Sequence, residues 1–287
     1  NYFRSNSVEY AIDELTINIE KYRKYIDIIN FDDDLLMLDQ NWILQLLEAY
    51  KVNIFEKYGI GYAINGRADL ISEKIVSKLS ESGCDLIRIG FETGDEKLRN
   101  IILNKQISNQ CLFTAFRLFD KYKIRSLAFC MIGVVGETER TIIESLEMLA
   151  CLHPSLIRLT MFTPFIGTPI YEECKKKDLL VKSIMNEDDL NLVVLNDSVS
   201  QVELIQYQML FPWYLNVILD NEYAAEYKEK IEYFINNYNF NTKKQIELTK
   251  EAVITADFDL SKKLKDAKIS HYSYYNNNKM YYTYNEF

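Results

Sequence analysis

The sequence predicts an α/β fold built on a parallel sheet. Three observations carry that prediction. Apolar runs of strand length alternate with amphipathic helical stretches from Ser7 to about Lys177. The runs are nearly continuous in apolar residues, as strands covered on both faces must be. The connections are short, and a repeated helix–strand unit then requires parallel strands joined by right-handed crossovers.

Each element has its own signal. Ser7 is placed to cap a helix over 7–24, whose apolar stripe is Val8, Ile12 and Leu15. A strand follows at Ile26–Phe31, then a helix over 40–50 and a strand near Ile60–Ile64. A helix over 71–82 leads to the strand Leu86–Phe91. Helical stretches at 95–103 and 108–122 lead to the strand Ile124–Ile132. A helix over 139–151 leads to the strand Leu156–Phe162, and a short helix at Pro169–Lys177 follows. A helix followed by five strands implies a partial (β/α)6 TIM-like barrel that lacks its first strand, in a core over 1–180. Residues 181–287 read as a C-terminal helical region. Its helices fall at 198–219, with Pro212 an expected kink, at 222–237 and at 242–266. The end, YSYYNNNKMYYTYNEF, holds six tyrosines and four asparagines without a period. It is expected to lack regular structure and to be dispensable for the fold.

Composition narrows the function classes. The chain has 287 residues, 48 % of them apolar, enough for one large domain with a substantial core. A net charge of −9 with no long basic run argues against binding a nucleic-acid backbone. No apolar run reaches the ~20 residues of a membrane span, and no leader pattern is visible. The five cysteines are dispersed in helix and strand patterns without metal-ligand spacing. They read as reduced thiols, and the expected setting is cytoplasmic. Two histidines, His153 and His271, argue against a His-rich zinc site, and His153 reads as a loop residue.

The candidate chemistry sits at the C-terminal ends of the strands, where parallel α/β folds build sites. Asp32, Asp33 and Asp34 follow the first strand. Three adjacent carboxylates call for water, a cation or a ligand amine nearby, and the plainer alternative is a solvated loop. Asn65 and Arg67 follow the second strand. Arg67 offers a fork of donors to a carboxylate or phosphate, or else is a surface cation. Glu92 lies between Gly90 and Gly94, as a ligand contact or a cap. Gly133 and Gly136 form a compact turn before Glu137 and Thr138. Thr138 caps the next helix, and the turn's amides suit a polar ligand. Pro164, Gly167 and Pro169 shape the last loop, where Phe162 and Phe165 either stack on a flat ring or close the barrel end.

Taken in order, these segments resemble the radical S-adenosylmethionine superfamily, and within it the group that usually carries an N-terminal cobalamin-binding domain. That group shows Phe-x-Asp-Asp, Asn-x-Arg-x-Asp, Gly-φ-Glu-Ser-Gly, Gly-φ-Pro-Gly-Glu-Thr and Pro-x-x-Gly-Thr, where φ is apolar. Here they read Phe31–Asp34, Asn65–Asp69, Gly90–Gly94, Gly133–Thr138 and Pro164–Thr168. Trp42 also falls where the group often has Trp. Val135 departs from the usual proline without removing a ligand group. The larger departure is the absence of Cys-x-x-x-Cys-x-x-Cys, through which the family holds a 4Fe-4S cluster. Arg4–Glu9 resembles the helix entry that follows that loop, so the chain is expected to be a fragment starting after it.

The resemblance implies a fold, cofactors and roles. The intact protein would bind S-adenosylmethionine and, with the upstream cluster, generate a 5′-deoxyadenosyl radical for methyl transfer or another radical modification of an unknown substrate. Cobalamin would come from an upstream domain, and electrons from a donor such as flavodoxin or ferredoxin. Asp33 and Asp34 would lie by the methionine end of the cofactor, Arg67 near its carboxylate and Glu92 near its ribose or amine. Asn65, Gly133, Gly136 and Glu137 would complete the binding shell. A non-catalytic barrel serving as a binding or scaffold protein is one alternative. A methylthiotransferase-like radical enzyme acting on RNA is another, disfavoured by a tail that reads helical.

Overall fold

Ser7 accepts a hydrogen bond from the Tyr10 amide, as an N-cap should, and so starts the first helix, α1 (Val8–Tyr22). The computed structural model describes residues 5–33, 36–184, 192–196, 198–275 and 278–286. Its contacts divide the chain into two compact units. The first is Asn1–Gly90 with Gln110–Leu127; the second is Phe91–Asn109 with Ala128–Phe287.

In the first unit α1 precedes β1 (Ile28–Phe31), and Asp39 caps α2 (Gln40–Tyr50) by accepting from the Asn41 and Trp42 amides at 3.0 Å. A π turn over Lys51–Phe55 prolongs α2 into the short α3 (Glu56–Tyr58), which ends at Gly59 in the left-handed region. β2 (Gly61–Gly66), α4 (Glu73–Glu81) and β3, which starts at Cys84, follow. β1 pairs with β2 in parallel, Ile28 opposite Gly61, and β2 with β3 in parallel, Asn65 opposite Arg88. β1 is the edge strand of this order. β2 is fully buried at Tyr62, Ala63 and Ile64, as its unbroken apolar run requires. Tyr50 and Tyr62 pack edge to face with Phe31 beneath the sheet. α5 (Asn109–Lys121) lays Leu112, Ala115, Phe116 and Phe119 into the core.

The second unit takes over at the end of β3 (Cys84–Glu92) and within β4 (Arg125–Ile132). Thr138 caps α6 (Glu139–Leu152) in a reciprocal box with Thr141. His153 ends that helix in the left-handed region, in the loop position expected for it. β5 (Leu156–Met161) follows. Thr160 reaches the Cys130 carbonyl and the Phe162 amide reaches that of Ile132, so the two strands advance together and lie parallel. α7 (Pro169–Lys176) is capped by Thr168 with Pro169 in its first turn. A ribbon unseen in the sequence follows, β6 (Leu180–Lys182) antiparallel to β7 (Leu192–Val194).

Three helices come next: α8 (Gln201–Ile218), α9 (Ala224–Asn237) and α10 (Lys243–Asp266). α8 runs through Pro212 without ending there and is buried on most sides, packed on α6 and α9. The tail corrects an expectation. Instead of lacking structure, it forms a hairpin of β8 (His271–Tyr275) and β9 (Asn278–Asn285), with β9 antiparallel to β5. The reason is that Tyr272, Tyr274 and Tyr282 bury their rings and donate their hydroxyls to the carbonyls of Pro154, Met209 and Gln208.

Candidate functional site

Two clusters carry the expected residues, one in each unit. In the first unit, alternation along neighbouring strands aims Asn30, Asn65 and Arg88 to one face. Arg88 donates to the side-chain oxygens of Asn30 and Asn65, the latter at 3.4 Å, and lies 3.8 Å from the exposed Asp32. Arg88 is thus the organiser of the strand ends here. Sequence reading passed over it, because an arginine inside an apolar strand gives no motif. Asp33 is exposed, and Asp34 lies outside the described residues. Arg67 donates to the Asp69 carboxylate, two residues along the chain, through two contacts at 3.1 Å. Gly66 sits where a Cβ would meet Ile89, Met37 and Ile87 at 3.2–3.4 Å, so the motif's second residue serves packing.

The second cluster starts where β3 ends. Glu92 takes φ 65°, a left-handed backbone on a non-glycine residue, and the Thr93 amide folds back to the Phe91 carbonyl. Such a conformation costs about 1 kcal/mol or more and persists only where the surroundings dictate it. They do so here. Gly94 lies so close to α6 that a Cβ would stand 2.6 Å from the Ser145 Cα. Ser145 Oγ also accepts from the Gly94 amide at 2.8 Å. The Glu92 carboxylate is then held 2.8 Å from Lys105 Nζ, with its side chain only 11 % exposed.

Lys105 is set in place by a buried arginine. A π turn over Leu98–Ile102 places Arg99, fully buried, inside the loop that follows β3. Its guanidinium donates to the Thr93 carbonyl at 2.8 Å, the Ile107 carbonyl at 3.0 Å and the Asn109 side chain. Its carbonyl takes the Lys105 amide. Asn104 and Gln106, on either side of Lys105, are both left-handed. Neither Arg99 nor Lys105 carried a signal in the sequence, where Arg99 falls in the helical stretch 95–103 and Lys105 in the gap before the next one.

The glycine turn is built differently from its expected use. Gly133 and Gly136 are left-handed. Glu137, almost fully buried, folds back and accepts from the amides of Gly133 and Val134. The Gly136 amide donates to Asn196 Oδ1 at 2.8 Å. The Gly133, Val134 and Gly136 amides are therefore taken within the chain, where the expectation was that the turn's amides face a ligand. Burial pushes the Glu137 carboxyl up to about 7, against the pull of those two amides. Glu92 and Glu137 line one small cavity of about 10 Å³, room for one water, together with Cys130 and Phe211. Burial, then the Glu92 charge, pushes the Cys130 thiol up, so it is inert at neutral pH. In the last loop, Phe162 is buried with Val134, Cys174 and Val194, whereas Phe165 is 78 % exposed.

Metal-binding capacity can be judged directly. Cys84, Cys130 and Cys174 are buried in separate elements, Cys111 is half-buried and Cys151 exposed. Among the described residues no three or more Cys, His, Asp or Glu side chains converge to hold a metal. No helix among them is long and apolar enough to cross a membrane.

An uncharacterized methyltransferase of Pyrococcus horikoshii is 26 % identical over 179 residues, 62 % of this chain and 38 % of that protein. The bacteriochlorophyllide d C-12(1)-methyltransferase of Chlorobaculum tepidum is 23 % identical over 176 residues, 61 % of this chain and 38 % of its own. The chain therefore spans well under half the length of these relatives. Among solved structures, the cobalamin-dependent S-adenosylmethionine radical enzyme OxsB, with aqua-cobalamin bound, shares the fold at a TM-score of 0.55. It is 14 % identical, over 92 % of this chain and 46 % of that one. The radical S-adenosylmethionine methyltransferase TsrM of Kitasatospora setae, with cobalamin and a [4Fe-4S] cluster bound, does so at 0.54. It too is 14 % identical, over 64 % and 35 %. The model of the Radical SAM superfamily matches residues 1–149, more than half of the chain, and the chain belongs to that superfamily.

Proposed function

We propose that the chain is the S-adenosylmethionine-binding core of a cobalamin-associated radical enzyme that transfers a methyl group to a small molecule. The observation that carries this is Glu92. A strained, buried carboxylate at a strand end, held on one oxygen by Lys105, keeps its second oxygen for a ligand hydroxyl or ammonium. The relatives named as methyltransferases support the reaction class.

S-adenosylmethionine supplies, when bound, a methyl group on a sulfonium centre and an adenosyl group, chemistry that no side chain provides. Its polar groups fit the acceptors present. Glu92 would take the ribose or the amine, and Asp33 and Asp34 the amine end. Arg67 would take the carboxylate by exchanging it for Asp69, and Asn65 would stay under the control of Arg88. Gly133, Gly136 and Glu137 would give the turn its shape, with the Glu137 carboxylate holding the amides that keep it closed. The thiols present do not fit a 4Fe-4S cluster, so no step is assigned through one on these residues. In this proposal the cluster's thiolates, the cobalamin site and a flavodoxin- or ferredoxin-type electron donor lie outside this chain, and the protein works in the cytoplasm.

Calorimetric titration with S-adenosylmethionine tests the reading. The chain should bind it, and Glu92→Gln should weaken binding at least ~10-fold, a loss of about 1.4 kcal/mol. The melting temperature should barely change. No binding by the parent chain, or equal binding by the variant, would overturn the proposal in favour of a barrel with another ligand.

A further inference from the structure

An open groove of about 930 Å³ lies between α9 and α10. α9 lines it with residues three and four apart from Glu226 to Phe234, and α10 does the same from Leu248 to Asp259, so each helix presents one continuous stripe. The stripe is unusual for a solvent face. Tyr233 is 55 % and Leu248 59 % exposed, and the stacked rings of Phe234 and Tyr238, 4.5 Å apart, form one wall. Ala252 and Ala256 keep the opposite side hollow. The rim is acidic. Glu226 is engaged by Lys263 at 2.9 Å, but Glu229, Glu251 and Asp259 have no ion-pair partner among the described residues.

Size, polarity and charge limit what can sit there. A helix about 10 Å across fills roughly 400 Å³ per turn, so the groove takes about two turns. The apolar wall needs an apolar stripe, and the three acids need cations. Anionic lipid and nucleic acid are repelled by the same acids. We infer that the groove binds a basic amphipathic helix of a partner protein. The partner's apolar stripe would lie against Tyr233 and Leu248, its lysines or arginines toward Glu229, Glu251 and Asp259.

Fluorescence anisotropy on the full chain tests this with three labelled peptides of roughly 18 residues. One is a Lys/Leu amphipathic helix, one has the same composition in scrambled order, and one is the Glu/Leu counterpart. The first should bind at least ~10-fold more tightly than the other two, and raising salt should weaken it. Glu229→Lys with Glu251→Lys should cost at least ~10-fold. The matched reversal Glu9→Lys with Glu14→Lys on α1 should change affinity less than ~2-fold. Circular dichroism confirms that each variant is folded. Equal binding of the scrambled peptide, or equal loss in both double variants, would reduce the effect to net charge and overturn the inference. So would no binding at all.

Discussion

Lys105 Nζ stands 2.8 Å from Glu92 Oε1, and both residues are placed by the same loop. The pair is half open to water, since the lysine side chain is 41 % exposed. Such a pair is worth about 1 kcal/mol or less to stability. If it instead fixes a ligand-facing carboxylate, its removal shows in binding. Lys105→Met should therefore lower S-adenosylmethionine affinity several-fold while costing no more than about 1–2 kcal/mol of stability, since the carboxylate left behind gains water on the side the lysine vacates. Calorimetry and urea denaturation on the same preparation separate the two. A large stability loss with unchanged affinity would make the pair a brace.

Arg99 makes the opposite prediction. It is a buried cation whose donors meet two backbone carbonyls and an asparagine oxygen. Replacing it leaves those acceptors without donors in a dry interior. Arg99→Met should cost about 3–5 kcal/mol and free the loop over 93–109. Lysine should not rescue it, because one ammonium cannot span the three positions that a planar fork reaches. Hydrogen exchange confined to that loop is the measurement, and unaltered protection in Arg99→Met would contradict the account.

Two buried carboxyls give the chain a pH signature. Burial raises Glu137 from 4.5 to about 7 and Asp257 from 3.8 to about 6, in each case against hydrogen bonds that pull it down. Each binds its proton more tightly folded than unfolded. Their contribution to stability is complete below about pH 4 and is lost as pH rises through about 6 to 7, by roughly 3 kcal/mol each. Between pH 4.5 and 8, Glu137→Gln and Asp257→Asn should each flatten the fall in melting temperature. A variant profile parallel to the parent's would remove that group from the account.

How far the sequence speaks depends on what kind of signal a residue leaves. Strands covered on both faces leave apolar runs, and every one of β1 to β5 overlaps its expected position. Caps leave single polar residues before a periodic stretch, and Ser7 and Thr138 are the caps expected of them, with Thr168 a further one that was not foreseen. A cation leaves no trace of where it points. Arg67 sits in a motif and donates to its neighbour Asp69. Arg88 and Arg99 sit in no motif and organise the two clusters. Glycine loops signal a turn but not the use of its amides, which Glu137 and Asn196 have taken. The tyrosine tail concealed its strands because tyrosine counts as apolar and polar at once. Its alternation was nonetheless present, since Tyr272 and Tyr274, two apart, are both buried.

That hairpin yields the last prediction. Asn216, fully buried on α8, donates to the Tyr272 carbonyl at 2.8 Å and accepts its amide at 2.7 Å, replacing a missing strand neighbour. Asp257 on α10 accepts from Trp213 Nε1 at 2.7 Å and from the Tyr274 amide at 2.9 Å. The two side chains thereby tie β8 to α8 and α10, and β9 covers the edge of β5. Removing residues 271–287 would strip three buried tyrosine rings from the interior, at roughly 2–3 kcal/mol each, and expose the β5 edge. The truncated chain should unfold early and aggregate. Asn216→Ala should cost about 2–3 kcal/mol on its own, because it leaves a buried amide and a buried carbonyl unmet. Asn216→Asp keeps the acceptor but loses the donor and brings in a buried charge, and it should cost at least as much at neutral pH. Thermal and urea unfolding of the three variants decide the matter. A truncation that melts with the parent would show the hairpin to be an ornament on the surface of α8.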